Sequence, residues 1–109
     1  MIDVAPRHLR TVRHILARIV PGCEVRVFGS RVSGTAKDSS DLDLAVVCEE
    51  RLDFDTLRLL REAFEESDLP FRVDALDWHA VSDSFRGVIE AGYEALPTDE
   101  DGGETESSR

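Results

Sequence analysis

Two aspartates one residue apart at the head of an apolar run, Asp41-Leu42-Asp43-Leu44-Ala45-Val46-Val47, constrain this chain more than any other stretch. In a strand, successive side chains alternate between faces. Asp41 and Asp43 therefore share one face, while Leu42, Leu44 and Val46 point the other way into a core. Carboxylates that close raise each other's proton affinity and cost free energy unless a cation lies between them, a place suited to a hard, oxygen-seeking ion such as Mg²⁺. Upstream, the apolar run Val25, Val27, Phe28 stops at Gly29-Ser30. There Gly permits close backbone approach and Ser can cap a following helix, whose first amides attract phosphate. Val25 to Val47 thus offers amides and a hydroxyl to a polyphosphate, and two carboxylates to the metal that accompanies it.

The rest of the chain supplies support for this stretch. From Pro6 to Val20, apolar side chains recur at Leu9, Val12, Leu16 and Ile19, with Ile15 alongside, the spacing of a helix packed on one face. Pro21-Gly22 ends it. Its other side carries Arg7, Arg10, His14 and Arg18; such basic stripes are mostly solvated surface, but here the stripe is a candidate contact for a partner or nucleotide. Asp53 or Asp55 caps a helix running to about Glu66, with Leu57, Leu60 and Phe64 inward and Phe54 and Leu59 at its margins. After the turn Ser67-Asp68-Leu69-Pro70, a strand from Phe71 to Leu76 puts Arg72, Asp74 and Leu76 on one face. Asp74 then looks toward the first two aspartates, and Asp77 falls on the opposite side. A buried carboxylate without a partner is costly, so Asp74 in a β-prone run reads as functional. Trp78 and His79 read as a core Trp and a surface His, with stacking on a base as the alternative. Ser82 or Asp83 starts a last helix with Phe85, Val88, Ile89 and Tyr93 inward.

Composition fits one small domain. The chain has 109 residues, of which 41% are hydrophobic, enough for one packed interior and no second domain. Its net charge of −10 argues against direct nucleic-acid binding, because phosphate contacts need Lys and Arg. The segment after Leu96, PTDEDGGETESSR, has no apolar side chain able to join a core and is expected to form an acidic disordered tail over 97–109, leaving 1–96 as the domain. Cys23 and Cys48 lack metal-ligand spacing and are expected to be reduced, buried cysteines of a cytoplasmic protein. Asp3, Arg7, Arg10, Arg13 and Arg18 interrupt the first twenty residues, so no membrane or signal segment is expected there. His8 and His14 form no metal-ligand constellation.

The ordered set Gly29-Ser30, then Asp41-Leu42-Asp43, then Asp74 in Phe71-Arg72-Val73-Asp74-Ala75-Leu76, resembles the signature of the DNA polymerase beta superfamily, in its minimal nucleotidyltransferase branch. The likeness covers roughly residues 5 to 96. It implies an α/β nucleotidyltransferase fold, with a small three-stranded mixed sheet flanked by about four helices in the order α-β-α-β-α-β-α. It also implies that Asp41 and Asp43 bind two Mg²⁺ ions, and that Asp74 binds the catalytic one or takes the proton of the attacking hydroxyl. Gly29 and Ser30 would hold the leaving phosphates of ATP. Arg31 and Lys37 are near enough in sequence to help neutralise them, or are simply exposed. The usual counterpart in this branch is a helical HEPN-type ribonuclease toxin, and the implied function is an antitoxin that transfers AMP to a tyrosine of that partner. A non-catalytic antitoxin that covers its partner is the alternative; transfer to a small molecule such as an aminoglycoside is another, and homo- and hetero-oligomers both stay open.

Overall fold

The computed structural model describes residues 2–96 and joins the two apolar runs flanking Gly29 as neighbouring strands. Strand β1 (Glu24–Phe28) lies antiparallel to β2 (Leu42–Val47), with Phe28 opposite Asp43 and Glu24 opposite Val47. Between them runs the one-turn helix α2 (Ser30–Ser33). Helix α1 (Pro6–Ile19) precedes this unit; α3 (Phe54–Glu65) follows it and leads into β3 (Val73–Asp77), which pairs parallel to β2 with Asp74 beside Asp43. A short 3-10 turn (Trp78–Ala80), helix α4 (Asp83–Ala91) and strand β4 (Tyr93–Leu96) complete the described chain.

Four strands, in the order β3-β2-β1-β4, form the sheet, one more than the three expected. The additional strand comes from the end of the helix expected to reach Tyr93. Gly92 breaks that helix in an extended conformation, and Tyr93 pairs with Phe28 across β1. The third strand also starts two residues later than its periodicity suggests, because Phe71 is taken up by an edge-on contact with His8 and lies beneath Arg31.

The sheet has two unequal sides. On one, Val12, Ile15 and Leu16 of α1 and Leu60 and Phe64 of α3 bury Val25, Val27, Leu42, Leu44, Val46 and Ala75. Each such side chain contributes about 1.5–3 kcal/mol on burial, so this layer dominates stability. The other side carries only Phe28, Ala45 and Ile89, with Leu76 and Trp78 partly buried against them. Ile89 is thus the single buried side chain of α4; Phe85 and Tyr93 are 36% exposed and Val88 61%, contrary to the inward positions expected for them.

The cysteines depart from expectation as well. Cys23 and Cys48 are bonded to each other, with Cα atoms 4.6 Å apart, and are partly rather than fully buried. The cause is register: Glu24 faces Val47, so the residue before β1 and the residue after β2 meet across the ladder. No described helix is long and apolar enough to cross a membrane. The tail expected over 97–109 lies outside the described residues.

Candidate active site

The turn between β1 and α2 is shaped by Gly29, whose φ of 85° and ψ of −156° lie in a region open essentially only to glycine. Its Cα also faces the Asp43 side chain: a Cβ there would collide with Oδ2 and stand 3.3 Å from Cγ. Glycine is therefore required twice, for the backbone conformation and for the carboxylate next to it. The Gly29 carbonyl accepts from the amides of Val32 and Ser33, both at 3.0 Å, which starts α2 and leaves the amides of Ser30 and Arg31 ahead of its hydrogen-bond ladder.

Of the three sequence-predicted carboxylates, Asp43 stands against this turn and the other two lie near Asp43. Asp43 is half-buried on β2, Asp41 is exposed just before that strand, and Asp74 is exposed on β3 at the register position adjacent to Asp43. Burial pushes the Asp43 carboxyl above its ordinary value, and the negative charges of Asp74 and then Asp41 push it further. A bound cation would relieve mutual repulsion of this kind. Among the described residues, no three carboxylate, imidazole or thiol groups converge closely enough to enclose an ion by themselves. An open arrangement suits Mg²⁺, which keeps several waters and is usually held by one or two carboxylates together with substrate phosphates.

Arg31 does something different from the phosphate contact expected of it. It is only 6% exposed, and its guanidinium donates to main-chain carbonyls: Nη1 to Asp3 at 2.8 Å, Nε and Nη2 to Ser40 at 3.0 and 2.8 Å, and Nη2 to Asp38 at 3.1 Å. The side chain ties the segment entering β2 to the chain's first residues, and so positions Asp41. Its amide, not its guanidinium, remains on the Gly29 turn. Lys37 is exposed.

Asp77 is buried and used structurally. Its Oδ2 accepts from the Leu52 amide at 2.9 Å and its Oδ1 from the His79 amide at 3.1 Å. His79 donates from Nε2 to the Cys48 carbonyl at 2.7 Å, and the Trp78 ring packs against the guanidinium groups of Arg26 and Arg86. Neither is placed as a free stacking surface. Sequence reading passed over Arg61, whose Nε and Nη2 donate to the Ala75 carbonyl at 3.3 and 3.1 Å, and the groove that it shares with Arg72 and Asp74. An arginine on the outer side of a helix carries no signal for such a role until the strand beside it is known.

Residues 23–99 match the family described as Polymerase beta, Nucleotidyltransferase. The chain belongs to that family. A relative of this nucleotidyltransferase from Haemophilus influenzae, named probable protein adenylyltransferase MntA, is 51% identical over 92 residues, which is 84% of this chain and 81% of the relative. Among solved structures, the nucleotidyltransferase is similar to a toxin-antitoxin crystallised with AMP-PNP, with a TM-score of 0.70 at 24% identity over 82% of this chain and 72% of that one. A crystal structure from Shewanella oneidensis gives a TM-score of 0.62 at 17% identity, over 85% of this chain and 72% of that one. The two structures bear on the fold alone, and they agree with the nucleotidyltransferase architecture described above.

Proposed function

We propose that this nucleotidyltransferase is a Mg²⁺-dependent protein adenylyltransferase, which transfers AMP from ATP to a tyrosine hydroxyl of a HEPN-type ribonuclease toxin and so acts as its antitoxin. The observation that supports this reading is the placement of Asp43 against Gly29, with Asp74 beside Asp43 in register and the charge of Asp41 close enough to raise its proton affinity. The name of the Haemophilus relative and the toxin-antitoxin structure point the same way.

In this reading the amides at the turn and the Ser30 hydroxyl hold the β- and γ-phosphates. The acceptor oxygen forms a bond to the α-phosphorus, the bond from that phosphorus to the bridging oxygen breaks, and pyrophosphate leaves. The hydroxyl proton passes to the Asp74 carboxylate, which is exposed and within the row of carboxylates. Bound Mg²⁺ supplies neutralisation of the developing charge and a lower proton affinity for the attacking hydroxyl, and Asp41, Asp43 and Asp74 are the groups that would hold it. ATP as donor sets the reaction in the cytoplasm, where the Cys23–Cys48 bridge faces a reducing pool.

The test is the mass of the partner. A purified HEPN-type toxin is incubated with ATP, Mg²⁺ and either the native protein or Asp41→Asn/Asp43→Asn, then weighed intact by mass spectrometry. The expected result is one or more AMP increments with the native protein and none with the double variant. A partner that gains no mass yet is silenced by both proteins would establish a blocker that acts by coverage alone.

A further inference from the structure

Beside Asp74 the sheet has an open edge. The strand order leaves β3 without a neighbour on its outer side. Leu42 donates its amide to the Arg72 carbonyl at 2.9 Å, so Arg72 turns its main-chain groups inward to β2, and by alternation Val73 and Ala75 turn theirs outward. Arg61 confirms that direction by satisfying the Ala75 carbonyl from outside the sheet. The amides of Val73 and Ala75 are left facing a groove of about 440 Å³. Phe64, Leu69 and Phe71 give it an apolar side, Arg61, Arg72 and Glu65 line its wall, and Asp74 stands at its rim. Neither Arg61 nor Arg72 makes an ion pair among the described residues, in a chain whose net charge is −10.

We propose that this groove receives the acceptor as an extended, acidic peptide segment that pairs with the outer edge of β3 next to Asp74. The inference rests on the protein-acceptor reading above and adds the docking surface and the chemistry of what docks. Outward amides supply main-chain pairing, the usual source of affinity when a peptide adds to a sheet edge. Arg61 keeps its bond to the Ala75 carbonyl, so the added strand pairs through the outward amides, and Arg72, exposed and without an ion pair among the described residues, favours an acidic neighbour beside it. Reach selects the acceptor residue. A strand added to β3 lies about 4.8 Å from it and about 9.6 Å from β2, where Asp43 sits. A serine hydroxyl on the added strand stops short of that position, whereas the length of a tyrosine side chain carries its hydroxyl over Asp74 toward Asp43.

A fluorescein-labelled random glutamate–tyrosine copolymer tests this, with a lysine–tyrosine copolymer as its charge-reversed control. Binding is read by anisotropy without nucleotide, and transfer by label from ATP radioactive at the α-phosphate. The native protein should bind and label the acidic copolymer and ignore the basic one. Arg72→Glu, at an exposed position, should weaken binding at least tenfold with ATP affinity unchanged. Val73→Pro, which removes an outward amide from an edge strand, should weaken it as well. Binding that depends on the groove but yields no label would uphold the docking surface and overturn tyrosine transfer. Labelling that both variants retain at the native level would uphold transfer and overturn the groove. Failure of the native protein to bind the acidic copolymer, or equal binding of the basic one, would also overturn it.

Discussion

The Cα of Gly29 lies against the carboxylate of Asp43, so that a methyl group added to the first would occupy the space of the second. Backbone turn and acidic side chain are in this sense one feature. Gly29→Ala should cost roughly 1–3 kcal/mol from backbone strain alone and displace the carboxylate besides. Urea titration should show the loss of stability, and calorimetry with ATP and Mg²⁺ should show nucleotide affinity lost with it.

Asp43→Asn separates function from stability. The folded chain retains a proton on Asp43 at pH values where the unfolded chain has lost it. Stability therefore falls as pH rises from the ordinary carboxylate value through the raised one, and stays lower above it. Removing the charge should abolish Mg²⁺-dependent nucleotide binding while raising the metal-free midpoint at neutral pH by a few degrees, on the order of 1 kcal/mol or less for a half-exposed group. Thermal melts of both proteins at pH 3.5 and 7 should show the difference shrinking at the lower pH.

Arg31→Ala should leave the carbonyls of Asp3, Asp38 and Ser40 without their donor and cost roughly 2–4 kcal/mol, more than an exposed arginine would. Hydrogen exchange is the informative measurement. Protection should drop over residues 34–42 as well as near Asp3, because one guanidinium joins both segments.

Reduction of the Cys23–Cys48 bond releases a loop spanning 25 positions and should lower stability by about 3 kcal/mol. Melts with and without reductant check this, and Cys23→Ser/Cys48→Ser should be insensitive to reductant.

The parts of this protein legible from sequence are those set by alternation and local spacing. Asp43 and Leu44 had to face opposite ways in any strand, and Leu60 and Phe64 had to lie inward on any helix with that period. What escaped prediction depends on register between distant segments. Cys23 meets Cys48 only because Glu24 faces Val47, and Tyr93 becomes a strand residue only because Phe28 is free to pair with it. Arg31 likewise read as a surface cation near a phosphate turn, since nothing local reveals that four main-chain carbonyls converge on its guanidinium.

The parallel pairing of β2 with β3 also orders events in time. Gly29, Ser30, Asp41 and Asp43 belong to a hairpin that a nascent chain closes through nearby contacts, whereas Asp74 joins them only after the whole of α3 has crossed over the sheet. Contacts between remote segments bear the larger loop entropy and form late. A half-folded chain thus holds two of the carboxylates without the third, which makes the docking of β3 the step that completes the candidate site.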